Sequence, residues 1–157
     1  MLVVLAVVGL AATLLLPQVR PHGFRLEEAA GRLADAIAFG RERAILGRAP
    51  MRLVLDLDAG RWQLGRPGAE PHALAVDDAA PAALAGRPST VPTGLTVRSV
   101  GVGGAPPIPS GVVALDLHPE GDPVPVRIEL ADAHGHAVSV VVPPAAARPA
   151  VIVHRTR

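Results

Sequence analysis

Apolar residues follow three successive patterns along the chain. The first 17 residues, MLVVLAVVGLAATLLLP, contain one polar residue, Thr13, and no charged one. From Phe24 to Gly47 the apolar positions recur every three or four residues, which indicates an amphipathic helix. Beyond Pro50 they recur every second residue, which indicates half-buried strands. The sequence therefore predicts an α+β protein with three parts: a leading helix (1–17), an amphipathic helical stalk (18–49) and a β domain (50–157).

The leading segment is predicted to anchor the chain in a membrane. A helix of 17 residues is about 25 Å long, at the short end of what crosses a hydrocarbon core of roughly 30 Å. A cleaved secretory signal would need a preceding basic residue and a small-residue cleavage site, and the sequence offers neither. A helix that is apolar on every side also has no use inside a domain this small. We therefore expect a single-pass anchor.

The amphipathic helix is predicted to bury one stripe and to expose its charges. Gly47 and Pro50 are its stop signals. Glu27 and Glu28 are expected in its first turn and three arginines towards its end, where they suit the helix dipole. We expect these arginines, Arg41, Arg43 and Arg48, to be solvated. The stripe consists of Leu26, Ala30, Leu33, Ile37, Gly40 and Ala44.

The remainder of the chain predicts a small antiparallel β-sandwich of about six strands. Met51–Leu57 alternates apolar and polar residues, and the turn at Asp58–Gly60 leads into Arg61–Leu64, which completes a hairpin with Trp62 as a core anchor. Residues 65–94 are rich in glycine, proline and alanine and predict a long, partly disordered connection. Further strands are expected at Leu95–Val100, Val112–Leu117, Val124–Leu130, Ala137–Val142 and Ala150–His154.

Composition narrows the chemistry that the chain could perform. With 157 residues and 16.1 kDa it has the size of one domain. The absence of cysteine excludes disulfides, thiolate-bound metals and thiol catalysis. All 15 basic residues are arginines, so a P-loop and Schiff-base chemistry are excluded as well. A net charge of +1 does not by itself imply a polyanionic partner.

Few polar residues have the spacing of metal ligands or the sequence context of a catalytic nucleophile. His134-Gly-His136 beside Asp132 has ligand-like spacing but falls in a predicted turn, where polar residues are expected without a metal. Asp56-Leu-Asp58 and Asp77-Asp78 lack the oxygen-rich loop of a calcium site. The serines have no nucleophile-elbow context; they are Ser89, Ser99, Ser110 and Ser139. We predict no metal, no cofactor and no catalytic residue.

The leading segment resembles the N-terminal helix of type IV pilins and type II secretion pseudopilins. That helix has an internal glycine followed eight residues later by a proline, as Gly9 and Pro17 are here. The helix with alanine–arginine pairs, the Gly60–Trp62 hairpin and the turn at Leu117–Gly121 are similar to the GspH/FimT type of minor pseudopilin. The resemblance covers nearly the whole chain.

The resemblance also implies a leader that this sequence does not contain. In the family, a prepilin peptidase cuts after a glycine and exposes a methylated phenylalanine, with a glutamate four residues further on. Aligned on Gly9 and Pro17, that glutamate would come immediately before Met1. We therefore expect Met1 to be an internal methionine and the true start codon to lie upstream. About five more residues would bring the anchor past the usual 20.

The function implied by the resemblance is structural. We expect a minor pseudopilin of the type II secretion system, part of the tip complex of the periplasmic pseudopilus. Its partners would be other pseudopilins, both minor and major, the inner-membrane secretion assembly and, if the full-length form carries a leader, prepilin peptidase. The anchor would lie in the bacterial inner membrane and the C-terminal domain in the periplasm. Within the filament, helices would pack at their small residues and at the proline, which are Gly9, Ala11, Ala12 and Pro17.

Two other functions stay open. The ending Val153–Arg157 is similar to the Gly-Arg-x-Arg tail of DNA-binding FimT-like minor pilins, with His154 in place of the glycine. Arg155 and Arg157 could neutralise only about two phosphates, and a solvated terminus explains them equally well. Nucleic acid is therefore expected as a partner only under this alternative. A small periplasmic hydrolase is disfavoured because the sequence clusters no acid, base and nucleophile.

Overall fold

The computed structural model describes residues 22–68, 88–121, 124–144 and 148–154, with the side chains of the helix described from Arg25 onward. These residues form one helix and eight strands: α1 (His22–Gly47), β1 (Met51–Asp56), β2 (Arg61–Gly65), β3 (Ser89–Thr90), β4 (Leu95–Val102), β5 (Val112–Leu117), β6 (Val126–Asp132), β7 (Ala137–Val142) and β8 (Ala150–His154). The predicted anchor over 1–17 and residues 69–87 of the connection lie outside the described residues. Within the described ranges, no helix combines the length and the hydropathy needed to cross a membrane.

The strands form two antiparallel sheets of four. The order in the first sheet is β3-β2-β1-β5, and in the second it is β4-β6-β7-β8. In the first sheet Leu55 of β1 lies opposite Trp62 on one side and opposite Val113 on the other. In the second sheet Ile128 of β6 lies opposite Val100 and Val140. The predicted α+β class with an antiparallel sandwich is confirmed.

Helix α1 packs against both sheets, chiefly on β7 and β1 and also on β5, β6 and β8. All six residues of its predicted stripe are buried, which confirms the helical spacing. The helix begins at His22, however, so Glu27 and Glu28 lie in its second turn rather than its first. Gly23 predicts a later start, but one glycine costs only about 1 kcal/mol in a helix and does not stop it.

One aliphatic core joins the helix and the two sheets. Its fully buried members come from all three parts: Leu26, Leu33, Ile37, Leu53, Leu55, Leu64, Ile128, Leu130, Val138 and Val140. Trp62 is buried in the same core, as the sequence predicts for a sheet anchor. With so few aromatic residues in the chain, close packing of leucine and valine supplies most of the hydrophobic stabilisation.

The strand bounds differ from prediction where the pattern is short. Ser89–Thr90 pairs with β2 although it lies inside the predicted connection, because two residues are too few to show an alternation. The strand expected at Val124 begins at Val126, and the one that starts at Leu95 continues to Val102. The described residues form eight strands where about six are predicted, and Ser89–Thr90 is the strand that the sequence does not predict.

Candidate assembly surface

The residues predicted to pack or bind in an assembly lie outside the described part of the chain. These are Gly9, Ala11, Ala12 and Pro17 in the leading segment, and Arg155 and Arg157 at the C-terminus. Their roles stay predictions. What the structure describes is how α1, which follows the leading segment in sequence, is fixed to the β sheets.

Arg41 corrects the expectation that the arginines of the helix are solvated. Its side chain is buried, with the residue only 6% exposed. Its Nη2 donates a hydrogen bond to the carbonyl oxygen of Pro143, just past the end of β7, at 2.9 Å. Arg41 lies four residues beyond Ile37 and three before Ala44, so the spacing of the apolar stripe includes it. That spacing is the sequence signal that identifies its burial, because a charged residue on a buried stripe must find a partner.

Gly40 lets the helix approach the first sheet closely. A Cβ atom added at this position would lie 2.7 Å from Cδ1 of Leu117 and 2.8 Å from Cδ1 of Leu64. Both leucines are themselves buried in the core. The glycine therefore sets the distance between α1 and the sheet, and Arg41 beside it ties the helix to the second sheet.

The opposite face of α1 is polar along most of its length and apolar at its end. Glu28 and Arg32 form an ion pair of 2.6 Å on this face, where a solvated pair contributes little to stability. Arg43 is exposed, as predicted, and its guanidinium lies over the ring of Phe39 at 5.1 Å. Ile45 and Leu46 are exposed in the last turn. This face is therefore the part of α1 that a neighbouring subunit could contact.

The turn between β6 and β7 is held by the carboxylate of Asp132. Its Oδ1 accepts the backbone N–H groups of His134 at 2.8 Å and His136 at 2.9 Å. Its Oδ2 lies 2.8 Å from Nδ1 of His136. The bond to the His136 ring, with smaller contributions from the two backbone N–H groups, lowers the pKa of Asp132 to about 2.

These contacts give the Asp132 cluster a structural role. Its carboxylate is only 3% exposed and is occupied in closing the turn. The described residues contain no group of three or more side chains that could hold a metal ion. The other acidic candidates that are described also bind backbone: Asp56 Oδ1 accepts the N–H of Ala59 within its own turn, and Asp58 Oδ2 accepts that of Gly111 and so joins this turn to the segment before β5. Asp77 and Asp78 lie outside the described residues.

A serine–histidine hydrogen bond joins β7 to β8. Ser139 Oγ and His154 Nε2 are 2.7 Å apart. Ser139 is completely buried, so a substrate cannot reach its hydroxyl in this arrangement. The pair satisfies a buried hydroxyl across two strands, and its geometry gives no support to the hydrolase alternative.

A long amphipathic helix laid across two antiparallel sheets makes this an α+β protein, and a close glycine contact and a buried arginine hold the helix in place. The model of the GspH family, described as type II transport protein GspH, matches residues 29–146. The chain belongs to this family, as its resemblance implies. A search of curated proteins found no match.

Two solved structures have the same fold. Both are of the minor pseudopilin EpsH from the type 2 secretion system of Vibrio cholerae. One is 14% identical, with a TM-score of 0.56, and the match covers 82% of this chain and 97% of that one. The other is also 14% identical, with a TM-score of 0.53, and covers 76% of this chain and 94% of that one.

Proposed function

We propose that this chain is a minor pseudopilin of the type II secretion system, a structural subunit of the periplasmic pseudopilus that takes part in protein export. The observation that carries the proposal is the GspH family match over residues 29–146, which spans most of α1 and every strand except β8. The packing of one helix on two antiparallel sheets supports the proposal independently of sequence motifs.

The proposed mechanism is mechanical rather than chemical. Residues 1–17 anchor the subunit in the inner membrane, 18–49 act as a stalk, and 50–157 face the periplasm. In the filament the leading helices pack at Gly9, Ala11, Ala12 and Pro17. Because Gly40 and Arg41 fix α1 to the two sheets, a displacement of the helix moves the β domain with it. We propose that other pseudopilins and the inner-membrane assembly are its partners, with prepilin peptidase acting on a leader.

Deletion of the gene in its own host tests this function. We expect proteins destined for the medium to accumulate in the periplasm, and expression of the full-length gene from a plasmid to restore export. The carboxy-terminal variant Arg155→Ala/Arg157→Ala should restore export equally well. The measurement is the ratio of periplasmic to extracellular exported protein, with natural transformation frequency recorded in parallel.

The same strains separate secretion from DNA uptake. The secretion function would be overturned if the deletion strain exported normally but lost transformation. If only the gene with the native tail then restored transformation, the chain would be a FimT-like pilin. In the companion gel-shift with the purified protein, we expect native and doubly substituted forms to behave alike towards DNA.

A further inference from the structure

A groove lies where the end of α1 meets the first two strands of the first sheet. It has a volume of about 500 Å³ and is lined by the last turns of the helix, the start of β1 and the end of β2. Its apolar lining includes Leu64, which is fully buried, and Met51, which is half-buried. Its charged lining consists of Arg43 and Arg66, and both residues are exposed. We call this feature the basic groove.

The basic groove has an unbalanced charge. Four other grooves among the described residues are each lined by an aspartate, which is Asp116 in one, Asp35 in two and Asp56 in one. No carboxylate lines the basic groove, and the ion pairs among the described residues do not include Arg43 or Arg66. Both guanidinium groups can therefore bind an anionic partner.

The described carboxylates closest to this end of the first sheet are engaged or lie elsewhere. Glu42 belongs to the same turns of α1 but lines a different groove, together with Arg148. Both carboxylate oxygens of Asp116 accept hydrogen bonds from Arg52, at 2.6 and 2.8 Å. Glu120 follows β5, which lies two strand spacings, or about 10 Å, from β2. The charge of the basic groove is therefore not compensated within the described part of the chain.

The end of α1 opposes an anion only weakly. The C-terminus of a helix carries about half a negative charge on its free carbonyl groups. Here the carbonyl oxygen of Ile45 accepts the N–H of Arg48 at 3.3 Å, and that of Ala44 accepts the N–H of Ala49 at 3.2 Å. Arg48 makes this ending possible with a left-handed φ of 48°, and its exposed side chain adds a third positive charge beside the groove. The arginines thus outweigh the remaining helix dipole.

An exposed leucine accompanies the two arginines. Leu46 lines the basic groove and is 74% exposed, more than any other large apolar side chain among the described residues. Exposed apolar surface with a polar rim is typical of protein-binding sites, and arginine and methionine are enriched in such interfaces. The groove therefore offers a partner one apolar contact between two charged ones.

We propose that the basic groove binds an acidic segment of another protein, in which carboxylates flank a large apolar side chain. The carboxylates would accept hydrogen bonds from Arg43 and Arg66, since a guanidinium group matches the geometry of a carboxylate. The cation–π contact with Phe39 leaves Arg43 positively charged for this role. The apolar side chain would pack on Leu46 and Met51 and so leave water. The inference concerns this surface alone and does not depend on the proposed secretion function.

A membrane surface and a nucleic acid fit the basic groove less well. The groove lies at the end of α1 that is farther from the leading segment, and the 26 residues of the helix extend about 39 Å. The surface potential of a membrane that held the leading segment would fall off within about 8 Å. Two arginines would neutralise only about two phosphates, so binding to nucleic acid would be weak.

The test uses the full-length protein in detergent micelles and a fluorescent peptide with two central leucines, one of them photoreactive, flanked on each side by a glutamate and an aspartate. Anisotropy measures the binding, and mass spectrometry after irradiation locates the cross-link. We expect Arg43→Glu and Arg66→Glu each to weaken binding about fivefold or more. Arg25→Glu makes the same change at an exposed position near the start of α1 and should alter binding less than about twofold.

Two further arms separate the groove from general charge attraction. Leu46→Ser keeps the charge of the protein and should weaken binding about threefold or more through the lost apolar contact. The same peptide with glutamine and asparagine in place of its acidic residues should not bind. Equal weakening by Arg25→Glu and Arg43→Glu, or cross-links that fall outside residues 43–51 and 64–66, would overturn the proposal.

Other occupants of the groove are outcomes of the same experiment. A DNA duplex, or phosphatidylglycerol added to the micelles, that displaced the peptide more effectively than its unlabelled form does would assign the groove to that ligand and overturn the proposal. Peptide binding that appeared only in Asp77→Asn/Asp78→Asn would identify the occupant as a segment of the chain itself, with the same consequence. Peptide binding that weakened as the protein concentration rose would identify a second copy and overturn it as well.

Discussion

The guanidinium of Arg41 donates a hydrogen bond to the carbonyl oxygen of Pro143 at 2.9 Å and so joins α1 to the end of β7 across 102 residues of sequence. Arg41 is buried and Pro143 is half-buried. The bond therefore links the helix to the second sheet inside the fold, where a missing partner is costly.

We expect Arg41→Leu to lower the free energy of unfolding by about 1–3 kcal/mol, because the Pro143 carbonyl loses its donor. Arg43→Leu removes the same charge from an exposed position two residues away and should cost less than about 1 kcal/mol. Urea unfolding followed by the fluorescence of Trp62, the one tryptophan in the chain, measures both. Equal losses in the two variants would show that the contact with Pro143 contributes nothing.

Two glycines of α1, Gly31 and Gly40, should respond oppositely to alanine. A Cβ at Gly31 meets nothing within 4 Å, so Gly31→Ala should stabilise the protein by about 0.5–1 kcal/mol through helix propensity. At Gly40 the Cβ would press on Leu64 and Leu117, and overpacking costs about 1–3 kcal/mol. Gly40→Ala should therefore be destabilising by about 1 kcal/mol net. Stabilisation by both substitutions would contradict the close approach.

Stability should depend on Asp132 at acid pH. Folding lowers the pKa of this carboxyl to about 2, so the unfolded chain takes up its proton first as the pH falls. Its stabilising effect is thus complete above about pH 4 and disappears towards pH 2. Asp132→Asn should be less stable than the native protein at pH 6, and the difference should shrink towards pH 2.

The matched variant for this prediction is His136→Ala, which removes the largest cause of the lowered pKa. It should also reduce the loss of stability between pH 4 and pH 2. Urea unfolding at half-unit intervals of pH measures the slopes. If the free energy of unfolding fell equally steeply with pH in the native protein and in Asp132→Asn, the Asp132 carboxylate would not be the cause of the loss of stability.

Ser139 should be inert although it lies beside a histidine. Because its hydroxyl is buried and bonded to His154, a fluorophosphonate probe should not label the folded protein. Ser139→Ala should cost about 0.5–1.5 kcal/mol through the lost hydrogen bond. Labelling of the native protein that disappears in Ser139→Ala would revive the hydrolase alternative.

The sequence predicts those elements whose pattern is both regular and long enough to repeat. Val112–Leu117 and Ala137–Val142 have the predicted bounds because a glycine precedes and a proline follows each of them within two residues, and Ala150–His154 lies between Pro149 and Arg155 in sequence. Ser89–Thr90 forms a strand only because β2 provides a partner, and no local pattern shows that. Local sequence also does not reveal which strands share a sheet: β4 and β5 follow each other in the chain but lie in different sheets.

The candidate surface is harder to predict than the fold. Arg41 looks like other helix-end arginines until the stripe from Ile37 to Ala44 is extended through it. The sequence predicts a strand at Ala150–His154 but does not show that all five of its residues are exposed. Its exposure follows from its position at the end of the sheet, and that position depends on the pairing order of distant segments.

The contact that spans 102 residues has a consequence for biosynthesis. The helix leaves the ribosome well before the two C-terminal strands against which it packs, so the part of its inner face that contacts β7 and β8 stays uncovered until translation is nearly complete. Contacts so distant in sequence also slow the conformational search. Until the last strand has been synthesised, this exposed apolar surface makes the nascent subunit prone to aggregation.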